Sequence, residues 1–185
     1  MPTLVDQAGA SASGDVVGGD KITVAVVMPT LGVVGQLLEK LQQEVEANAQ
    51  VRHTVEALAR YHVRRPTDGI EGLEAKLKAA EREEELHDAI EQKEQFAKLL
   101  ETWGFYSSAQ EIFAFLLARI VYEFTNFILP ELENLTIVQI NQIIDDKIVS
   151  PTITECGASI FRLNHDTVMG MIYWLAEQCY VRWHK

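Results

Sequence analysis

The chain has 185 residues and a formal net charge of −11, and 48% of its residues are hydrophobic, which suits one globular domain with an appendage. This acidity argues against unspecific binding to nucleic-acid phosphates and disfavours nucleic acid as a partner, because such binding requires a basic surface. Two cysteines are too few for a disulfide framework, so we expect a reduced, cytoplasmic compartment.

The first 29 residues contain a polar leader and a repeated Gly-Asp pair. Residues 1–13 are small and polar, which predicts disorder and no secretory signal. Residues 14–29 begin with the two pairs, each of which can form a tight turn because glycine accepts a positive φ and aspartate bonds nearby amides. These turn residues are Gly14, Asp15, Gly19 and Asp20.

The apolar run that follows, ITVAVVM, alternates in the manner of a β-strand. One face carries Ile22, Val24 and Val26, and Pro29 should end the strand because it lacks an amide hydrogen. A lone strand leaves its backbone groups unpaired, and no clear partner strand follows in the chain. We therefore interpret residues 14–29 as an oligomerisation segment that pairs with other copies, which predicts a homo-oligomer.

Residues 30–69 are predicted to form an amphipathic helix and a linker. Apolar residues with three- and four-residue spacing indicate a helix over 34–63, but the apolar stripe is thin and typical of a coiled-coil or docking helix. Pro66 and Gly69 interrupt the pattern, so we place a domain boundary at 64–69.

The only basic cluster of the sequence lies in the same region. It contains Arg52, His53, Arg60, His62, Arg64 and Arg65. We interpret it as a surface that pairs with a partner protein or with this chain's own acidic helix at 81–94. The alternative is a nucleic-acid-contacting sensor subunit that uses residues 52–65.

Residues 70–185 are predicted to form an all-helical domain, so the fold class is mainly α. A long charged helix covers 70–102 and is closed by Gly104, and its acidic run at 81–88 is interpreted as a solvated face. The next helix, 108–128, is apolar and starts with a Ser108–Glu111 capping-box pattern. Three charges inside this helix argue against a membrane span. They are Glu111, Arg119 and Glu123.

The remaining helices are marked by their caps and breaks. Thr136–Gln139 is a second capping-box pattern. The last helix extends to about Trp183 and is apolar nearly all round, so it should lie centrally in the core. The residues predicted to bend, stop or cap these helices are Pro151, Gly157, and either Asn164 or Asp166.

Few side chains form a pattern that supports catalysis or metal binding. His165 and Asp166 suit general base chemistry and give a hydrolase as a third hypothesis, but a helix cap with a neighbouring histidine is commoner. Cys156 and Cys179 lack the paired spacing of metal ligands and are predicted to be core residues. No glycine motif for nucleotide phosphates occurs. We therefore expect no catalytic residue, no metal and no cofactor.

Three segments of the second half resemble a known family. They read FYSSAQEIFAFLLARI, IDDKIVSPTITECG and VMGMIYWLAEQCYVRWHK. Over roughly residues 70–185 they are similar to the C-terminal helical domains of bacterial ABC-three-component conflict systems. The best-matching features are Ser108–Ile112, Pro151, Gly157, Gly170–Tyr173, Cys179 and Arg182–Trp183. The Gly-Asp leader, of the form GDxVxGDK, resembles leaders of bacterial immune and signalling proteins.

The resemblance implies partners as well as a fold. Such systems pair an effector or sensor protein with a small middle component and an ABC-type ATPase, so partner proteins of this kind are expected. The chain has no room for a fused effector head, which favours a role without enzymatic activity. The leading hypothesis is an adaptor or scaffold subunit of a prokaryotic antiviral system. It would oligomerise through the N-terminal strand and dock partners through the helical domain.

Overall fold

A computed structural model describes residues 31–66 and 69–184, and these residues form helices and turns without any strand. Helices α1 to α8 occupy Val33–Glu46, Glu56–Ala59, Leu73–Ala79, Leu86–Trp103, Ser107–Glu123, Ile137–Ile144, Ser150–Cys156 and His165–Glu177. Short 3-10 turns lie at Arg60–His62, Glu83–Glu85 and Leu129–Glu131, and π-helical turns lie at Phe124–Ile128 and Asp145–Val149. The mainly α fold class is confirmed. The leader, Gly-Asp turns and strand predicted at 1–29 lie outside the described residues.

Helices α5 and α8 form the centre of the core. Helix α5 contacts α1, α2, α4 and α8, and helix α8 contacts α3, α4, α5 and α7. Every residue from Met171 to Ala176 is buried, and so is Trp183 beyond the end of α8. The central position predicted for the last helix is therefore confirmed.

The contact between α4 and α8 is the most extensive of the helix pairs described, and it depends on Gly170. A Cβ atom placed on Gly170 would lie 2.1 Å from the carbonyl oxygen of Gln92 and 3.1 Å from the Cβ of Phe96. Only a residue without a side chain lets the two backbones approach this closely. Beside this point, the Phe96 ring meets the Trp174 ring edge-on with 5.8 Å between ring centres.

Helix α1 belongs to the core, which corrects the interpretation of 34–63 as a thin coiled-coil or docking helix. Val34 and Leu41 are fully buried, and the helix packs against α5 and α7. One oxygen of the Glu44 carboxylate accepts from the Ser108 backbone N–H at 3.1 Å, and the other accepts from the Ser108 hydroxyl at 2.9 Å. This carboxylate takes the place of the predicted Ser108–Glu111 capping box, because the free amides of a helix start need an acceptor.

Three helices end at residues other than glycine in the left-handed conformation. Asn48, Glu81 and Cys179 have φ values of 50°, 57° and 64°. In each case the following amide bonds back to the carbonyl five residues earlier, with N···O distances of 2.8, 2.9 and 2.8 Å. This is the Schellman arrangement, in which glycine is the usual residue at the left-handed position.

These three ends correct the lengths of three predicted helices. The helix predicted over 34–63 ends at Glu46, and short turns with α2 follow it. The helix predicted over 70–102 is divided into α3 and α4, because the chain turns at Glu81. The last helix ends at Glu177 rather than near Trp183.

Residues Leu31–Lys185 cluster as one compact unit. The Gln110 side chain ties α5 to the loop after α1, because it donates to the His53 carbonyl at 3.0 Å and accepts from the Val55 amide at 2.5 Å. The Arg65 amide donates to the Gln178 carbonyl at 3.1 Å. The linker predicted at 64–69 therefore does not separate two compact units within this part of the chain.

Several predicted helix ends agree with the structure. Gly104 is the C-cap of α4. Thr136 accepts from the Gln139 amide while the Gln139 side chain accepts from the Thr136 amide, which confirms the second capping box. Of the two predicted caps for α8, Asn164 fills the position, and its side chain accepts from the Thr167 amide at 2.9 Å.

Pro151 and Gly157 bound α7 as predicted. Pro151 lies in the first turn of α7, directly after the π-helical turn at Asp145–Val149, where a missing amide hydrogen is tolerated. Gly157 follows the helix with a φ of 52°.

The helical stretch Ser107–Glu131 is the one segment among residues 31–66 and 69–184 that is long and apolar enough to cross a membrane. In the fold it supplies core residues instead, including the fully buried Ile112, Phe113 and Leu116. Arg119 on this helix forms an ion pair with Glu155 of α7. The structure thus agrees with the predicted core helix.

The substitution Gly170→Ala tests the α4–α8 contact. We expect it to lower the free energy of unfolding by about 1–3 kcal/mol, because overpacking outweighs the roughly 1 kcal/mol that alanine gains in helix propensity. Urea unfolding of the full chain, followed by circular dichroism, measures the change. Gly32→Ala is the matched control, since a Cβ there meets no atom closer than 3.9 Å. Equal stability of the two variants would contradict the close contact.

Candidate functional site

A cleft of about 330 Å³ lies among α4, α6 and α8, within the roughly 300–1,000 Å³ range of ligand pockets. Its walls come from the turn before α4 and the first half of α4, from α6 with its π-helical turn, and from α8 between His165 and Tyr173. The main polar lining residues are Arg82, Glu85, Asp88, Asn141, Asp145 and Tyr173. The apolar lining residues are Ile144, Val149 and Met169.

Arg82 is the buried cation of this cleft, with only 2% of its surface exposed. Its Nη2 donates to Asn141 Oδ1 at 2.6 Å, and its Nε lies 2.9 Å from Glu85 Oε1. The guanidinium carbon lies 5.6 Å from the ring centre of Trp183, within cation–π range. Nη1 is shielded from solvent and has no hydrogen-bond acceptor among the described residues. Because a buried donor without an acceptor costs about 1–3 kcal/mol, Nη1 is a candidate contact for a bound group.

Tyr173 joins the same network from α8. Its hydroxyl donates to Glu85 Oε2 at 3.5 Å. Burial raises the pKa of Tyr173 to about 12, and the neighbouring Glu85 carboxylate adds to the rise because it disfavours a phenolate. The phenol therefore stays protonated at neutral pH and acts as a donor rather than as a base.

Carboxylates dominate the rim of the cleft. Glu85 offsets the charge of Arg82, and two further aspartates line the same space. A shallower groove continues from the cleft along α4 to the start of α8. The carboxylates of the cleft and groove are Glu85, Asp88, Glu91, Asp145 and Asp166. We call the cleft together with this groove the acidic cleft.

The predicted His165–Asp166 pair lies at the rim of the acidic cleft. His165 Nδ1 is 3.7 Å from Asp166 Oδ1, and the two side chains are 61% and 53% exposed. Gln92 donates to Asp166 Oδ1 at 3.1 Å. Catalytic acids and bases usually lie within a cleft that partly excludes water, whereas both side chains of this pair are largely exposed to solvent. The arrangement favours the interpretation of a helix start with a neighbouring histidine.

The predicted basic cluster makes contacts within the chain. Arg64 forms an ion pair with Glu177 of α8, rather than with the acidic stretch at 81–94. The same carboxylate accepts from the Leu73 amide at 2.9 Å and lies 4.0 Å from Lys93 Nζ. This part of the cluster therefore serves to hold the segment before α3 onto α8.

The other arginines of the cluster lie near aromatic rings or in solvent. Arg60 lies 4.7 Å from the ring centre of Tyr61, and Arg65 lies 5.2 Å from that of Tyr180. Arg52 is exposed on the loop after α1. Arg60, Arg64 and Arg65 thus make contacts within the chain, and of the three Arg64 is the one paired with a carboxylate.

Both cysteines are buried, so their predicted place in the core is confirmed. Burial raises the pKa of Cys156 to about 11, and the neighbouring Glu155 carboxylate adds to the rise. Cys179 occupies the left-handed position after α8. Among residues 31–66 and 69–184, no group of three or more His, Cys, Asp or Glu side chains is placed to hold a metal ion.

The sequence interpretation missed the acidic cleft. The run at 81–88, interpreted above as a solvated face, contains the buried Arg82 and two cleft carboxylates, Glu85 and Asp88. The one available signal was a single arginine among glutamates. Helical periodicity did not show that Arg82 is buried, because the chain turns at Glu81 and the predicted helix over 70–102 is not continuous.

The described residues form a helical domain with a cleft lined by charged, polar and apolar side chains. A family model for C-terminal domain 9 of the ABC-three component (ABC-3C) systems matches residues 72–183. This match covers more than half of the chain, so the protein belongs to that family, and the resemblance noted in the sequence is confirmed. The Gly-Asp leader lies outside the matched residues. No curated protein and no solved structure matches the chain.

The raised pKa of Cys156 predicts an unreactive thiol. At pH 8 only about one molecule in a thousand should carry the thiolate that attacks iodoacetamide, because the pKa is about 11. Mass spectrometry should find Cys156 unlabelled in the native protein and fully labelled in guanidinium chloride. The unfolded sample serves as the control for reagent and site. Rapid labelling of the native protein would show that the Cys156 thiol is not buried and that its pKa is not raised.

Proposed function

We propose that the protein is a non-enzymatic adaptor or scaffold subunit of an ABC-three-component antiviral defence system in the cytoplasm. The helical domain docks partner proteins of the system, among them the ABC-type ATPase component or the small middle component. One observation carries this proposal. Every residue that lines the acidic cleft lies within the family-matched segment 72–183, so this cleft belongs to the domain that defines the family.

The chemistry of the acidic cleft supports docking. Its groups are held by helices and by a network that joins Arg82, Glu85, Asn141 and Tyr173. Side chains fixed in this way suit recognition, because little rotamer freedom is lost on binding. Tyr173 stays protonated and His165 faces solvent, so neither resembles an activated nucleophile or base.

Co-expression with the other components of the same system tests the docking proposal. We expect the tagged full chain to co-purify with the middle component or with the ATPase in a fixed molar ratio that persists through size-exclusion chromatography. An ABC-type ATPase from an unrelated system is the control and should not co-purify. Absence of both cognate components from the eluate would contradict the adaptor role.

We extend the proposal to the N-terminal segment, which we assign to homo-oligomerisation on its sequence pattern. Burial of Ile22, Val24 and Val26 between copies would contribute about 1.5–3 kcal/mol for each fully buried side chain, which offsets part of the cost of association. A proline in the middle of such a strand removes one ladder amide and forces a kink.

Light scattering on three proteins tests this assignment: the wild type, Val24→Pro, and a chain lacking residues 1–29. We expect the wild type to have a mass of several chains, and both variants to have a lower mass with unchanged helix content by circular dichroism. A common mass for all three proteins would show that the strand does not drive assembly.

A further inference from the structure

We propose that the acidic cleft binds an arginine or lysine side chain presented by a protein partner. This assignment rests on the proposed docking function and specifies the chemistry of the docked group. The opposite occupant, an anionic group such as a phosphate, is disfavoured because five carboxylates border the cleft and its groove.

The charges of the cleft select a cation. Arg82 is the buried positive charge, and Glu85 lies beside it at 2.9 Å. Asp88 on α4 and Asp145 on the π-helical turn then line the same space from two different walls. A cationic head between these walls would meet a carboxylate on each side, which is the arrangement that charge complementarity favours.

The apolar lining selects a long side chain rather than a bare ion. Ile144, Val149 and Met169 line the same cleft as the carboxylates. Arginine and lysine combine a hydrocarbon stem with a charged head, so the stem can cover apolar surface while the head reaches carboxylates. A small inorganic cation would leave these apolar residues uncovered, and the described residues hold no metal-ligand cluster.

The buried Arg82 supplies a second, independent feature of the site. Nη1 has no acceptor among the described residues, although Nη2 donates to Asn141. A peptide that inserts a basic side chain also brings backbone carbonyl oxygens, the kind of acceptor that Nη1 lacks, and the wall around the solvent-shielded Nη1 must open slightly to admit one. A free metal ion or a simple amine brings no acceptor. The cleft therefore fits a peptide-borne cation.

Nuclear magnetic resonance of the ¹⁵N-labelled full chain tests the proposal with defined probes. The probes are acetylated, amidated pentapeptides with arginine or lysine at the centre of four alanines. A third pentapeptide carries citrulline, which has the shape of arginine without its charge. We expect amide shifts at Asp88, Asp145, Met169 and Tyr173, with citrulline binding about tenfold weaker, and binding that weakens with added salt.

Matched variants separate the cleft from the general acidity of the chain. Asp88→Asn with Asp145→Asn removes two charges from the cleft, and we expect about fivefold weaker binding of the arginine peptide. Glu39→Gln with Glu101→Gln removes two charges from exposed positions outside the cleft and should leave binding within about twofold. Thermal unfolding of all variants establishes that they are folded.

Several results would overturn the proposal. They are equal affinity for the citrulline and arginine peptides, an equal loss of arginine-peptide affinity in the two double variants, or amide shifts located away from the cleft. Spermidine is the small-molecule probe. If it shifts the same amides and binds with higher affinity than the arginine peptide, the cleft is assigned to a small polyamine instead.

The same variants separate this inference from the adaptor proposal. If the Asp88→Asn, Asp145→Asn chain co-purifies with its cognate component as well as the wild type does, the cleft assignment is wrong and the adaptor role stands. If the wild type binds the arginine peptide at the cleft but co-purifies with no component, the adaptor role fails and the peptide-binding site stands.

Discussion

The close approach of α4 and α8 at Gly170 is the constraint on which the rest of the helical domain depends. The space for a side chain at Gly170 is occupied by the Gln92 carbonyl, so the two helices can adopt this separation only with glycine there. The contact positions Phe96 against Trp174 on the core side. It also sets the distance between the walls of the acidic cleft, because Gln92 and Met169 line that cleft on either helix.

Two carboxylates connect the first described residues to the family-matched segment through partners that are far apart in the sequence. Glu44 of α1 caps α5, and Glu177 of α8 pairs with Arg64, which precedes the match, and accepts from the Leu73 amide at the start of α3. Each such cap is worth about 1 kcal/mol, and the exposed Arg64–Glu177 pair contributes no more than about 1 kcal/mol. Burial of Val34 and Leu41 contributes about 1.5–3 kcal/mol for each side chain. Apolar packing therefore holds α1 on α5, and the Glu44 carboxylate fixes the register of the two helices.

The sequence predicted those elements that carry a local signal. The apolar helices α5 and α8, the Thr136–Gln139 capping box and the Asn164 cap follow from residue types at fixed spacing. The ends of α3 and α8 have no such signal, because their left-handed residues are glutamate and cysteine, whereas Asn48 after α1 is a weaker stop signal that the interpretation of 34–63 passed over. Tertiary packing imposes these turns. The acidic cleft escaped prediction for the same reason, since its walls meet only after α3 and α4 separate.

The family match and the packing of the helices divide the chain at different places. The match begins at residue 72, whereas the compact unit begins at Leu31, because α1 covers a face of α5. The acidic cleft uses no residue before Arg82. The lining of the cleft is therefore built entirely from the matched segment, while α1 and the assembly proposed for residues 14–29 involve other parts of the chain. The docking and the oligomerisation proposed above would therefore use separate parts of the chain, which is what a scaffold presenting repeated copies of one binding site would require.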